Sequence, residues 1–254
     1  MLKSININST INSQGNTSHF LLVVDSYATD RLYVSMLLQR FEYNIGTTKN
    51  AGETLEISSV AVPSLIITAL ALEDMSGLEL IRKLRQERLT ENIPVIIHTS
   101  AHTRERERQC IEAGAAACIR NPVQAEELYR TVQAAIEPTP RANIRITAFL
   151  PVAVNNIPIL CGGGECATVL SEHGMYIKTQ KPYPKKSSIT VQITIHDHVI
   201  VAESVVLYSY KTGEGPNKEP GMGLQFTRIA PYDQEVIRQF INQEIHKGIE
   251  FNLK

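Results

Sequence analysis

Cysteine is scarce, with four residues in a chain of 254. That is too few for a disulfide-stapled scaffold, and Met1 to Ser18 has no apolar core to act as a secretory signal, so free thiols in the cytoplasm are expected. Excess charge is missing as well. With 25 basic and 26 acidic residues the net charge is -1, and no global field draws the chain to DNA or to an anionic membrane. Long apolar runs are also absent: the longest, Leu65 to Leu72, contains Thr68 and stops at Glu73, short of the roughly 18 residues a membrane span needs. Membrane insertion is not expected. There is no GxSxG elbow, no dinucleotide fingerprint and no supported pair of catalytic carboxylates, so the chain does not read as an enzyme.

What remains describes a folded protein of two domains. Apolar residues make up 43% and charged residues 20%, close to the globular values of about 45–50% and about 25%, and the length suits two domains better than one. The Asn- and Ser-rich residues 1–18 read as a flexible tail. Across residues 19–137, short apolar runs at His19 to Val24, Asn44 to Thr47, Ser64 to Ala69, Pro94 to His98 and Ala117 to Ile119 predict strands. Helical patterns at Asp30 to Phe41, Ser76 to Arg88 and Ala125 to Ile136 alternate with them, which argues for βαβ units and a parallel sheet. Pro138 and Pro140 then interrupt the helix pattern and form a short linker.

Across residues 138–254 the rhythm turns to β-type runs at Ile144 to Val154, Ala167 to Val169, Gly174 to Lys178, Ser188 to Ile195, Val199 to Tyr210 and Gly223 to Thr227. An amphipathic helix from Asp233 to His246 closes them, predicting an antiparallel sheet or barrel. Residues 18–137 hold 12 basic and 16 acidic side chains, whereas 138–254 hold 12 and 10. The second half is the better anion binder.

Specific residues carry a resemblance in the first half. Leu21-Leu22-Val23-Val24-Asp25, Pro63-Ser64-Leu65-Ile66-Ile67, Asp74-Met75-Ser76-Gly77-Leu78-Glu79-Leu80, Ile93 to Ser100 and Ala113-Gly114-Ala115 follow the order and spacing of two-component response-regulator receiver domains. The resemblance implies a flavodoxin-like (βα)5 fold with its site at the carboxyl ends of the strands. Phosphotransfer in that family needs a carboxylate nucleophile, an acidic pair for Mg2+ and a lysine. Here the nucleophile position is Ala69, the second of the acidic pair is Ser26, and the lysine is Asn121. Asp25 and the Thr99-Ser100 pair survive, and Asp25 reads as a carboxylate capping a loop or the next helix. The half therefore resembles a pseudo-receiver that neither takes phosphate nor holds a metal. Its fourth helix carries Arg104-Glu105-Arg106-Glu107-Arg108, a solvated face or a partner surface.

The second half is similar to PilZ domains, the six-stranded antiparallel β-barrels with a C-terminal helix that act as cyclic di-GMP sensors. Arg141-Ala142-Asn143-Ile144-Arg145 fits the family's RxxxR, Ser171-Glu172-His173-Gly174 the end of its [D/N]xSxxG, and Gly221-Met222-Gly223-Leu224-Gln225-Phe226 its late strand. The resemblance implies a cyclic di-GMP site at Arg141, Arg145, Ser171 and Gly174, with guanidinium groups pairing to phosphate or guanine. In the family the arginines order on ligand and reorient the neighbouring domain. The acceptor position, however, is Val169, which takes no hydrogen bond from a guanine N–H. Cyclic di-GMP binding, a ligand-free interaction module and another anionic ligand all stay open.

Two sharper motifs are set aside. Cys161-Gly162-Gly163-Gly164-Glu165-Cys166 lacks the Lys-Ser/Thr and helix of a phosphate loop and reads as a glycine-rich hairpin. His196-Asp197-His198 lacks zinc-finger spacing and reads as a polar turn, so no metal is expected. The sequence thus describes a non-catalytic bacterial signalling protein. It acts through contacts with other signalling or motility proteins, either as a cyclic di-GMP effector or as a nucleotide-independent scaffold in a motility, pilus or surface-polysaccharide pathway.

Overall fold

The computed structural model describes residues 19–141, 143–159, 166–215 and 218–249. They form two compact units, divided between residues 141 and 143. Residues 1–18 and the glycine-rich segment before Cys166 lie outside the described residues.

The first unit runs β1 (Phe20–Val24), α1 (Ala28–Arg40), β2 (Asn44–Thr48), α2 (Ala51–Val60), β3 (Leu65–Ala69), α3 (Gly77–Leu84), β4 (Val95–Thr99), α4 (Arg104–Glu112), β5 (Ala117–Arg120) and α5 (Ala125–Ile136). Its five strands are parallel in the order β2-β1-β3-β4-β5. β1, β3 and β4 are buried along their whole length, which is why they read as unbroken apolar runs: helices cover both faces.

The helix predicted from Ser76 to Arg88 is shorter. Ser76 and Glu79 close a capping box at its start, but the chain leaves the helix at Arg85, whose guanidinium donates to the carbonyls of Ile93 and Gly114. Thr90 Oγ1 caps the Leu84 carbonyl at 2.7 Å. Two helices carry no apolar stripe for periodicity to find. α2 buries only Ala51, Thr54 and Ser58, with Leu55 and Ile57 partly buried against the core, and α4 buries Cys110 alone. Part of the charged run on α4 pairs within the helix, Arg108 with Glu105 and Glu112 and Arg106 with Gln109. α5 stops where expected, with Glu137 extended ahead of Pro138.

The second unit runs β6 (Arg145–Leu150), β7 (Val152–Val154), β8 (Ile157–Ile159), β9 (Cys166–Ser171), β10 (Gly174–Lys178), β11 (Ser188–Ile195), β12 (His198–Tyr210), β13 (Gly221–Ile229) and α6 (Pro231–His246). These segments form one sheet in the order β6-β9-β10-β13-β12-β11-β7-β8. β6 and β7 sit near opposite ends of that order, yet only Pro151 separates them, so the sheet curls round on itself. The single run expected from Ile144 to Val154 is thus split, because Pro151 has no N–H for a ladder while its carbonyl accepts from Thr194 N at 3.1 Å. Taken as one bent path, β6 and β7 with β9 to β13 give the six expected strands, and β8 is a short addition. Ile146, Leu170, Met175, Ile177, Val206 and Leu224 fill the inside with Ile237, Ile241 and Ile245 of α6 among the buried residues.

Candidate functional site

At the carboxyl end of the parallel sheet, Ser26, Ala69 and Asn121 each have a structural partner. Ser26 Oγ donates to the Lys49 carbonyl at 3.1 Å and accepts from Glu73 N–H at 3.0 Å, stapling three loops together. Asn121 Nδ2 donates to Asp30 Oδ2 of α1 at 2.6 Å. Ala69 ends β3 at 8% exposure, and its carbonyl accepts from Thr68 Oγ1. Thr99 Oγ1 accepts from Ala101 N–H. This donor set does not fit Mg2+, which keeps carboxylate or phosphate charge around it: one of the two acids is a hydroxyl already committed to two backbone groups.

Asp25 is 1% exposed, and its Oδ1 accepts from Tyr27 N–H at 2.8 Å, the loop-capping role read from the sequence. Its other oxygen, Oδ2, lies 3.3 Å from His98 Nε2. His98 is 2% exposed, and neither ring nitrogen makes a hydrogen bond of good geometry among the described residues. Burial pushes the Asp25 carboxyl up to about 6, against the pull of the Tyr27 amide, with Asp30 raising it and Arg31 lowering it. Burial likewise drives His98 down to about 4, with Asp30 opposing. Sequence reasoning quoted His98 only as part of a strand. A histidine inside the otherwise apolar run Val95-Ile96-Ile97-His98 was the signal available.

In the second unit the sheet register assembles a row on the outer face. Arg145 stands opposite Ser171, Ser171 opposite Gly174, and Gly174 opposite Gln225. The next row inward is Ile146, Leu170 and Met175, all buried. Beyond it a second outward row holds Thr147, Val169, Tyr176, Gly223 and Tyr208. Arg145, Ser171 and Gly174 are therefore brought together, with Val169 one outward row away at 7% exposure. Ser171 Oγ donates to the Gly174 carbonyl at 3.0 Å. The turn between β9 and β10 is tied to α6, since Glu172 pairs with Arg238 and His173 Nδ1 lies 3.1 Å from Gln234 Nε2.

Arg141 lies on the other side of the division between the units. Its N–H donates to Gln133 Oε1 at 3.1 Å, and Gln133 Nε2 donates to the Tyr43 hydroxyl. The two histidines set aside earlier sit about a β11–β12 turn and meet α6. The His196 ring packs on Phe240, and His198 pairs with Asp233 at 2.8 Å. Among the described residues no group of three or more His, Cys, Asp or Glu side chains converges on a metal-sized site. No described helix is long and apolar enough to cross a membrane.

Comparison with known proteins agrees with both halves. The response regulator receiver domain model matches residues 21–133, and the PilZ domain model matches residues 138–243. The rice (Oryza sativa subsp. japonica) two-component response regulator ORR5 is 30% identical over 118 residues, 46% of this chain and 87% of that protein. ORR7 of the same plant is 30% identical over 112 residues, 44% of this chain, and the match spans about half, 53%, of its own length. Among solved structures, a chemotaxis response regulator of Vibrio cholerae matches at 25% identity and a TM-score of 0.45, covering 47% of this chain and 99% of that one. The chain belongs to the two-component response-regulator family, with a receiver domain followed by a PilZ domain, the latter a cyclic di-GMP-binding family.

Proposed function

We propose that this chain is a non-catalytic signalling protein whose receiver domain does not take phosphate and whose PilZ domain binds cyclic di-GMP weakly. It passes the signal on through contacts with other signalling or motility proteins in the cytoplasm. The observation that carries the ligand reading is the outward row of Arg145, Ser171 and Gly174 on three adjacent strands. A guanidinium there can pair bidentately with a phosphodiester. Weakness follows from Val169, which leaves a guanine donor without the acceptor it would otherwise meet.

Titration of cyclic di-GMP into the full chain tests this. Saturable binding is expected, and Arg145→Ala should weaken it roughly 10- to 150-fold, the loss of a charged hydrogen bond. Equal affinity in Arg145→Ala would remove this row from the site.

The receiver reading rests on Ala69, a methyl group where an attacking carboxylate is required. Incubation with acetyl phosphate and Mg2+ should leave the mass of the intact chain unchanged. A phosphoryl adduct that hydroxylamine removes would overturn it. The second reading, a nucleotide-independent scaffold, is favoured by the burial of Val169. Restoring an acid by Val169→Asp would place a carboxylate where water hardly reaches, so that variant is a poor test of a lost site.

A further inference from the structure

The late glycines of the second unit lie under tyrosine rings. A side-chain carbon built on Gly223 would come 2.1 Å from Tyr208 Cζ and 2.5 and 2.6 Å from its two Cε atoms, so the Tyr208 ring lies across that residue. One built on Gly221 would come 2.4 Å from the Tyr176 hydroxyl and 2.6 Å from Tyr176 Cζ. The planes of the two rings differ by only 23°, with centroids 6.3 Å apart. Both residues are half-buried. One side of each ring rests on strand β13, so the exposure each keeps is on the side facing away from the sheet. The result is an aromatic floor over β13, which Tyr210 extends as a tilted third ring, its centroid 5.4 Å from that of Tyr208 and its plane 39° away.

That floor shares its row with Val169. Its nearer ring is also close to Arg145: Tyr176 stands two strands across and two residues along, roughly 12 Å between Cα atoms, which a guanidinium on its long stem and a compact dinucleotide can bridge, whereas Tyr208 stands two strands further. Lys178, on the same face, is already paired with Glu219 at 2.6 Å and is not counted as a phosphate ligand.

Resting on the cyclic dinucleotide reading above, we propose that Tyr176 and Tyr208 take one base of the ligand by stacking. The site then binds purine cyclic dinucleotides without preference for guanine. The reason is chemical. A carboxylate or amide at position 169 would read the guanine edge, whereas valine reads nothing, and an aromatic face is accepted by every base. Apolar cover at Val169 and a paved floor beside it replace edge recognition with face recognition.

The experiment titrates cyclic di-GMP and cyclic di-AMP separately into the full chain and into Tyr176→Phe and Tyr176→Leu. The chain has no tryptophan but nine tyrosines, so the part of the tyrosine quenching that Tyr176→Leu abolishes reports stacking on that ring. Expected are affinities for the two ligands within about fivefold of each other, less than a single lost hydrogen bond would give. Tyr176→Phe should keep both affinities. Tyr176→Leu, which keeps an apolar side chain but no ring, should weaken both by roughly 5- to 150-fold and lose the quenching. Strong preference for cyclic di-GMP, or wild-type affinity in Tyr176→Leu, would overturn the floor while leaving the Arg145 site standing. Failure of both ligands to bind the wild type would overturn the cyclic dinucleotide reading itself, and the floor with it.

Discussion

Gly174→Ala should destabilise the second unit by about 3 kcal/mol or more, above the usual range for overpacking. A methyl built on Gly174 stands 2.2 Å from the Leu224 carbonyl oxygen, 3.3 Å from its carbon and 3.4 Å from Gln225 Cα. All three atoms are backbone of β13. That strand is held on both sides, by β10 and by β12, so it cannot withdraw without breaking two ladders. The Gly174 carbonyl is fixed as well, by Ser171 Oγ. Backbone angle plays no part, because Gly174 is not among the positive-φ glycines. Gly213 makes the useful contrast: its φ is +85° and nothing lies within 4 Å of the added methyl, so Gly213→Ala should cost only about 1 kcal/mol of backbone strain. Hydrogen exchange of the β10 and β13 amides, read in each variant, separates the two. Wild-type protection in Gly174→Ala would show that β13 yields after all.

The consequence reaches the site. Gly174 matches a glycine of the PilZ ligand motif, but here close approach of two strands already requires it. Loss of ligand binding in a Gly174 variant would report a broken sheet and say nothing about contact with the ligand. Arg145 and Tyr176 are better probes, since neither change presses atoms into a backbone.

How much of this was legible in the sequence follows from how local each signal is. Unbroken runs such as Leu65-Ile66-Ile67 announce strands covered on both faces, and the helical period that begins at Ser76 announces α3. α2 escaped because its fully buried residues are Ala51, Thr54 and Ser58, and Leu55 and Ile57, two apart and partly buried, set no helical period. The break at Pro151 was visible as a proline but could not be weighed without knowing that the sheet curls there. Altered positions such as Ala69 and Val169 were readable because a motif fixes what ought to stand there. The partners of Ser26 and of Tyr176 were not. Ser26 meets Glu73 across 47 residues, and Tyr176 meets Tyr208 only through the registers of β10, β13 and β12. Such contacts are products of topology.

The Asp25–His98 contact is another of these, and the stability of the first unit should show it in opposite pH slopes. The Asp25 carboxyl is raised from 3.8 to about 6, so the folded state holds its proton more tightly than the unfolded one. Its contribution is full below 3.8 and is lost as pH rises through 6. His98 is lowered from 6.5 to about 4, so its contribution is present above 6.5 and is lost as pH falls through 4. Each shift is worth about 3 kcal/mol, and between pH 4 and 6 the two nearly cancel. Burial is the main cause of both shifts, so removing one partner leaves the other perturbed and uncovers its slope. His98→Val should lose about 3 kcal/mol of stability between pH 4 and 6.5, and Asp25→Asn should gain about as much over the same interval. The double variant should lose both slopes. Asp30 and Arg31 remain in all of them, with the Arg31 guanidinium on the Asp25 carbonyl. Denaturant midpoints followed by hydrogen exchange of β1 and β4 amides give the measurement, and parallel slopes in the two single variants would sink the account. A pair whose proton affinities offset one another should hold the end of the sheet steady from pH 4 to 6.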